Sequence, residues 1–252
     1  MPARAKLNLD LAVLASTHDG FHEIRTHMQS IALHDLLALT RADHTTMTAS
    51  GSDELDSTNN SVLDAHEAMQ DATGLELPTK FHLYKRIPPG SGMGGASSDA
   101  AAAMRGIAAI HNLEAARAEL DLAKIAARIG ADVPFFLTGG AARAEGRGER
   151  LTPLQSDPVW FAIAWPQIEL STATVYRAWD EVNGDGPNQL TRAACHVEPK
   201  LQEFAARLGD GWQMTGSGSA FFRRTADRES AQRAIANVDC WTAVTNAVGA
   251  WA

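Results

Sequence analysis

Hydrophobic and polar positions alternate along several stretches of the 252-residue chain, as is typical of half-buried strands. Other stretches repeat apolar residues every three or four positions, which indicates amphipathic helices. The predicted strands cover residues 4–14, 30–40, 45–49, 81–87, 159–165 and 241–248, with a hairpin over 143–151 and a strand–turn–strand unit over 213–223. The predicted helices cover residues 61–73, 97–110, 115–129, 173–182, 199–208 and 227–237.

Glycine and proline divide this pattern into two parts. Gly74 and Gly130 end predicted helices, residues 51–60 are polar and loop-like, and the pattern restarts after Pro153. The second part runs strand–helix–helix–strand–strand–helix–strand, which favours an α+β fold. We therefore expect two domains, residues 1–153 and 154–252.

Composition narrows the class of protein. Hydrophobic residues make up 45% and charged residues 21% of the chain, as in an ordinary globular protein. No apolar run approaches the roughly 20 residues that span a bilayer, and Asn8 and Asp10 interrupt the apolar N-terminal stretch, which predicts a strand there rather than a signal peptide. The net charge of −8 argues against nucleic-acid binding. Only Cys195 and Cys240 are present, which suits a reducing cytoplasm.

The segment PPGSGMGGASSDAA, residues 88–101, is the most informative motif in the chain. Glycines let a ligand approach the backbone amides closely, and the following helix offers unpaired N–H groups and a positive dipole end, so we expect a phosphate-binding loop with Ser97 or Ser98 as helix cap. A simple glycine turn is the alternative. The pattern Gly90-x-Gly92-x-x-Gly95 fits a dinucleotide fingerprint only formally, since no acid-bearing second strand follows, and Ala96 stands where the ATPase loop has its lysine.

Three further segments carry candidate chemistry. Lys6 and Asn8 share one face of the first strand, where they could reach a phosphate or hydroxyl, although an exposed edge lysine is the alternative. Asp132 follows a helix end and precedes Pro134, which predicts either a carboxylate that needs a partner among apolar groups or a cap for the next turn. Residues 215–219 form a second glycine turn, which closes over phosphates or simply joins two strands. Arg4, Lys85 and Arg86 are candidate local cations, with a solvated strand face as the alternative.

The glycine loop occurs together with the segments AKLNL, DGFHE, GADVPFF and TGSGSAFF. With these segments, the chain resembles the galactokinase–homoserine kinase–mevalonate kinase superfamily over residues 4 to about 222. Their order is similar to the branch that uses ATP to phosphorylate the 2-hydroxyl of 4-diphosphocytidyl-2-C-methyl-D-erythritol, in the non-mevalonate route to isoprenoids. The resemblance implies an N-terminal domain like the second domain of ribosomal protein S5 and a ferredoxin-like C-terminal domain. Two interpretations compete with this one: another kinase of the superfamily, or a nucleotide-binding protein without catalysis.

The resemblance also implies roles for individual residues. Asp132 matches the catalytic base, and Lys6 matches its partner. Phe21 and His22 match the pair that stacks on and reads cytosine, with Asn8, Asp132, Gly216 and Ser217 also on the substrate side. Asn60 matches a position near the adenine or ribose. The segments around Asn60 and Asn188 depart from the family's usual sequence pattern. Mg²⁺ is expected with ATP, no protein ligand for it is named, and the oligomeric state is left open between monomer and homodimer. The residues that match the ATP-phosphate loop are Pro88, Pro89, Gly90, Ser91, Gly92, Met93, Gly94, Gly95, Ala96, Ser97 and Ser98.

Overall fold

A computed structural model of the chain describes residues 1–16, 21–51, 60–113 and 121–251. The strands are β1 (Pro2–Ser16), β2 (His22–Arg41), β3 (Thr46–Ser50), β4 (Thr79–Tyr84), β5 (Ala141–Gly146), β6 (Arg150–Leu154), β7 (Trp160–Trp165), β8 (Trp212–Met214), β9 (Phe221–Thr225) and β10 (Trp241–Asn246). The helices are α1 (Ser61–Thr73), α2 (Gly95–Ile110), α3 (Leu122–Ile129), α4 (Phe135–Thr138), α5 (Thr172–Val182), α6 (Thr191–Val197), α7 (Lys200–Leu208) and α8 (Arg228–Ile235). This mixture confirms the predicted α+β class. None of the helices in these ranges has the length and apolar character to cross a membrane.

The first of two compact units comprises residues Met1–Ala5, His34–Ile87 and Gly94–Thr138. In it, β4 pairs antiparallel with the last part of β2 and parallel with β3. Helix α1 is capped at its start by Asn60, whose side-chain oxygen accepts the Val62 N–H, and at its end by Gly74 in the left-handed conformation. Both ends match the predicted helix over 61–73; Gly74 was predicted to end it, whereas the capping role of Asn60 was not predicted.

The second unit comprises residues Lys6–Leu33 and Pro88–Met93 and the chain from Gly139 onward. Here β5 pairs antiparallel with residues 24–29 of β2 and with β6, which forms the predicted hairpin. A four-stranded antiparallel sheet follows in the order β10-β7-β9-β8. Its core includes Val175, Leu190, Phe204 and Phe221. The predicted domain boundary between residues 153 and 154 stays a prediction.

Three elements, β2, α4 and α6, differ from the sequence prediction. Helix α4 was not predicted, since its four residues are too few for a clear helical period. Strand β2 begins at His22 rather than near residue 30, because His22 and Thr26 point inward and hide the apolar alternation. Helix α6 was not predicted, since its seven residues are too few for a clear helical period. Residues 52–59 of the polar loop predicted over 51–60 lie outside the described residues. The start of the helix predicted over 115–129 does so too.

The start of α2 also corrects a prediction. The helix begins at Gly95, and its cap is Gly94 in the left-handed conformation (φ 72°), with no side-chain capping hydrogen bond. Ser97 and Ser98 lie inside the first turn, so their assignment as the cap is wrong. A left-handed backbone suits glycine, and a glycine cap offers no side-chain oxygen to the first amides of the helix.

Candidate active site

Lys6 on β1 lies at the centre of a buried polar cluster in the second unit. Lys6 is only 4% exposed. Its Nζ donates to Asn8 Oδ1 at 2.5 Å and to the carbonyl oxygen of Gly92 at 2.8 Å. The predicted shared face of Lys6 and Asn8 is therefore confirmed, and the edge-lysine alternative is wrong. A buried ammonium needs such acceptors, and here one of them belongs to the glycine loop.

The glycine turn over residues 215–219 packs against the same cluster. A Cβ on Gly216 (φ 57°) would lie 2.9 Å from Gly92 O and 3.2 Å from Lys6 Nζ. The Thr215 hydroxyl oxygen accepts the Asn8 N–H at 2.9 Å. Glycine at position 216 therefore lets the turn approach the ammonium within contact distance.

The first part of the glycine loop is held against that turn. A Cβ on Gly92 would lie 2.5 Å from Thr215 O, and the Ala220 N–H donates to Ser91 O at 3.0 Å. Ser91 Oγ donates to Pro88 O at 2.7 Å, and Gly90 leaves no room for a Cβ beside Glu169. The loop is thus fixed by protein contacts rather than open on all sides.

The second part of the loop lies in the first unit and starts α2. Ala96 is exposed, Ser97 is half-buried and Ser98 is buried. Ser61, the residue after Asn60, donates from Oγ to Ala96 O at 2.8 Å. The structure thereby brings the α1 cap beside the start of α2, although the Asn60 side-chain oxygen is engaged in capping.

Asp132 lies in the turn that precedes α4, also in the first unit. It is half-buried, and the neighbouring Val133 and Phe135 are each 1% exposed. Pro134 follows the helix end at Gly130 as predicted. The carboxylate is therefore placed at the boundary between a hydrophobic core and solvent.

Phe21 precedes β2 and His22 begins it, both in the second unit, and the two residues differ in exposure. Phe21 is 53% exposed, and the Arg147 guanidinium carbon lies 3.9 Å from the centre of its ring. His22 is buried, stacks on Tyr176 at 5.1 Å and makes a 2.6 Å contact from Nε2 to Asp180 Oδ1. Phe21 thus presents a flat ring near the surface, whereas the orientation of His22 is fixed by α5.

Asn188 is a polar contributor that sequence reasoning did not place in the site. Its Nδ2 donates to the carbonyl oxygens of Met214 and Gly216, both at 2.9 Å, and its Oδ1 accepts the Leu190 N–H. The residue is 2% exposed. It therefore fixes the backbone of the glycine turn at Met214 and Gly216. In the sequence, this segment stands out only for its departure from the family's usual pattern.

Lys85 was considered a candidate local cation, with a solvated strand face as the alternative. The solvated-face alternative is wrong, because Lys85 is buried and its Nζ contacts Asp35 Oδ2 at 2.5 Å and Asp99 Oδ2 at 2.7 Å. Its role as a cation for a phosphorylated substrate stays a prediction. Burial raises the pKa of Asp99 to about 7; the Lys85 charge opposes this rise and the Asp35 charge adds to it. Two carboxylates and one ammonium thus form a closed ionic cluster in the first unit.

Comparison with known proteins decides the family. A family model described as GHMP kinases N terminal domain matches residues 60–140. The 4-diphosphocytidyl-2-C-methyl-D-erythritol kinase of Symbiobacterium thermophilum is 33% identical over 96% of this chain and 97% of its own length. The kinase of that name from Ectopseudomonas mendocina is 39% identical over 92% of this chain and 84% of its own length. The chain belongs to the 4-diphosphocytidyl-2-C-methyl-D-erythritol kinase family.

Solved structures agree with this family. A crystal structure of 4-(cytidine 5'-diphospho)-2C-methyl-D-erythritol kinase has a TM-score of 0.82, with 33% identity over 99% of this chain and 98% of that one. A mevalonate kinase, with a TM-score of 0.67 and 12% identity, shares the fold alone. The resemblance found in the sequence is therefore confirmed, and the expected two-domain superfamily fold agrees with these neighbours.

Kinases of this family use ATP, for which Mg²⁺ is the expected companion ion. Across residues 1–16, 21–51, 60–113 and 121–251, no three His, Cys, Asp or Glu side chains are grouped to hold a metal. Asp35 and Asp99 are already bound to Lys85. We therefore name no protein ligand for Mg²⁺, an ion that is commonly bound largely through substrate phosphates.

The titration of Asp99 in this kinase gives a first prediction. Its pKa of about 7 in the folded chain lies above the roughly 3.9 of an unfolded aspartate, so folding retains a proton that the unfolded chain releases. The free energy of unfolding should therefore fall as pH rises from about 4 to about 7. Asp99→Asn lacks this titration, so its free energy of unfolding relative to the wild type should rise across that window, by an amount on the order of a few kcal/mol. Urea denaturation at pH 5 and pH 8 measures the difference, and a constant difference between the two proteins would contradict the raised pKa.

Proposed function

We propose that this chain transfers the terminal phosphate of ATP to the 2-hydroxyl of 4-diphosphocytidyl-2-C-methyl-D-erythritol, a step of the non-mevalonate route to isoprenoid precursors. The observation that carries the proposal is the buried Lys6 ammonium, bound to Asn8 and to the glycine loop, in a chain of this kinase family. Phosphoryl transfer asks a protein mainly for positioning and for neutralisation of charge. A fixed cation beside a glycine loop supplies both.

The ATP phosphates are assigned to the glycine loop, residues 88–98. The glycine cap at Gly94 supports this assignment, because no side chain competes for the first amides of α2. Asn60 remains proposed for the adenine or ribose. Its place at the start of α1, next to the Ser61–Ala96 hydrogen bond, supports a position close to the loop.

The acceptor hydroxyl is assigned to Asp132 as general base, with Lys6 as its cationic partner. Lys6 would supply the positive charge beside the Asp132 carboxylate and would screen the transferring phosphate. Asn8, Gly216 and Ser217 complete the substrate side. The Lys6–Asn8 hydrogen bond and the close packing of Gly216 beside the Lys6 ammonium support the grouping of Asn8 and Gly216.

The cytosine is assigned to Phe21 and His22. An exposed aromatic ring suits stacking on a base, and a histidine held by Asp180 suits a defined hydrogen bond to its polar edge. Because Nε2 already contacts Asp180, His22 would read the base through its other polar atoms. We further propose a cytoplasmic location, no nucleic-acid partner, and a monomer or homodimer.

The direct test is ATP consumption with and without the cytidylyl substrate. We expect ADP release to depend on that substrate, with homoserine and mevalonate as inactive acceptors. ADP release that is equally fast with either of those acceptors would assign the chain to another kinase specificity. ATP binding without turnover on any acceptor would instead support a nucleotide-binding protein that lacks catalysis.

Replacement of Phe21 tests the cytosine assignment. Phe21→Ala should raise KM for the cytidylyl substrate about tenfold, because stacking of a base on an aromatic ring is worth about 1–3 kcal/mol. KM for ATP should not change. Leu75→Ala is the matched control, since Leu75 is equally exposed at 51% and lies after α1. An unchanged KM for the cytidylyl substrate in Phe21→Ala would remove Phe21 from the site.

A further inference from the structure

The ionic cluster of Asp35, Lys85 and Asp99 has no part in the chemistry proposed above, yet all three residues are buried. It joins three separate parts of the first unit. Asp35 belongs to β2, Lys85 follows the end of β4, and Asp99 lies in the second turn of α2. One ammonium therefore links the two chain segments that flank the glycine loop to the sheet.

The cluster also binds the backbone where the loop begins. Asp35 Oδ1 accepts the Arg86 N–H at 2.5 Å and the Ile87 N–H at 2.8 Å. The Lys85 N–H donates to Ser50 O at 2.8 Å. The residues just before Pro88 are thus held by a carboxylate that simultaneously holds Lys85.

On the other side, the cluster reaches the first turn of α2. Lys85 Nζ lies 3.2 Å from the place where a Cβ on Gly95 would stand, and the Ile87 side chain lies 3.1 Å from it. Gly95 has an ordinary negative φ, so its lack of a side chain makes room for the ammonium rather than for a left-handed backbone. The helix start therefore rests directly on Lys85.

A clamp of this kind is a costly way to stabilise a fold. Two carboxylates and one ammonium lose most of their hydration when buried, and well-packed apolar residues often stabilise as well or better. Charged hydrogen bonds, in contrast, fix the distance and direction between the segments they join. The arrangement is therefore suited to setting a geometry, and the geometry it sets is that of the two ends of the glycine loop.

We propose that Asp35, Lys85 and Asp99 are positioning residues that clamp the entrance of the glycine loop to the start of α2, and so hold the loop in the conformation that receives the ATP phosphates. The clamp acts through the backbone and does not touch the nucleotide. The nucleotide part of this inference rests on the proposed function, which assigns the loop to ATP.

Asp99→Ala is the variant that tests the clamp. It breaks the link between Lys85 and α2 but leaves the one-to-one Lys85–Asp35 pair, so the chain should still fold. Asp99→Asn is the matched control, because its side-chain oxygen can still accept from Lys85. Three quantities are measured for each: the melting temperature, amide hydrogen exchange of peptides covering residues 85–99, and the Kd and KM for ATP and for the cytidylyl substrate.

We expect Asp99→Ala to speed exchange in those peptides and to weaken ATP binding by about tenfold or more, since small misplacements of binding groups have large effects. KM for the cytidylyl substrate should stay the same, and Asp99→Asn should match the wild type in amide exchange and in ATP affinity, whatever its melting temperature. A lower melting temperature with unchanged exchange and unchanged ATP affinity would reduce the cluster to a structural role and overturn the proposal. Should Asp99→Ala fail to fold, Lys85→Arg provides the same comparison, because a guanidinium keeps the charge and alters the geometry.

The experiment separates this inference from the function on which it rests. Bound ATP should slow exchange at residues 85–99 in the wild type. If it does not, the assignment of the loop to ATP fails. Faster exchange in Asp99→Ala would still support the clamp in that case, whereas unchanged exchange would contradict the clamp whatever the loop binds.

Discussion

Asp132→Asn should lower kcat about 10²–10⁴-fold, the usual contribution of a positioned general base. Asparagine has nearly the same shape and sits in the same turn before α4, so the neighbouring Val133 and Phe135 should stay packed. KM for ATP should change little, because the phosphates are assigned to the glycine loop. Steady-state kinetics with both substrates, together with circular dichroism, measures these expectations.

Asp71→Asn is the control for this substitution, since Asp71 is an exposed carboxylate on α1. It should retain wild-type kcat. If Asp132→Asn keeps more than about a tenth of the wild-type kcat, a loss far smaller than general-base removal causes, the base must be sought elsewhere. Loss of kcat together with loss of helical signal would point to unfolding, and a thermal melt distinguishes that outcome from a chemical defect.

Lys6→Met should lower kcat about 10²–10³-fold, as removal of a single preorganised group that stabilises transition-state charge does elsewhere. Methionine fills a similar volume but cannot donate, so Asn8 Oδ1 and Gly92 O each lose the hydrogen bond shown by the structure. Stability should also fall by about 1–3 kcal/mol, the usual cost of a buried acceptor left without a partner. Kinetics and urea denaturation measure the two effects separately.

Lys80→Met is the matched control, because Lys80 is an exposed lysine on β4. It should change neither kcat nor stability by a measurable amount. If Lys6→Met loses stability but keeps wild-type kcat, Lys6 organises the glycine segments without assisting transfer. That result would remove Lys6 from the proposed chemistry while leaving the observed cluster intact.

Sequence reasoning succeeded where local chemistry decides the structure. Helix α1 has the predicted bounds, 61–73, and ends at the predicted Gly74, whose capping role can be read from the sequence; the capping role of Asn60 was not predicted. The shared face of Lys6 and Asn8 followed from the two-residue period of a strand. The family was evident because several short motifs occur in a fixed order.

Sequence reasoning failed where contacts between residues distant in sequence determine the structure. The sequence around Lys85 gives no sign that it pairs with Asp35, 50 positions earlier. A lone lysine after a strand is usually solvated. Asn188 likewise braces Gly216, 28 positions later. The serine cap of α2 was predicted from a local preference, but a left-handed Gly94 serves instead, a choice that a glycine-rich sequence leaves open.

The alanines that follow the glycine loop have a further consequence. Four consecutive residues of α2 are each at most 1% exposed: Ala100, Ala101, Ala102 and Ala103. Because four consecutive residues cover the whole circumference of a helix, this turn of α2 is packed on every side. Enlarging any of them would overfill the core, at a cost of about 1–3 kcal/mol. Directed evolution toward other phosphate donors should therefore find few tolerated changes along this helix, and libraries are better directed to exposed positions such as Ala96.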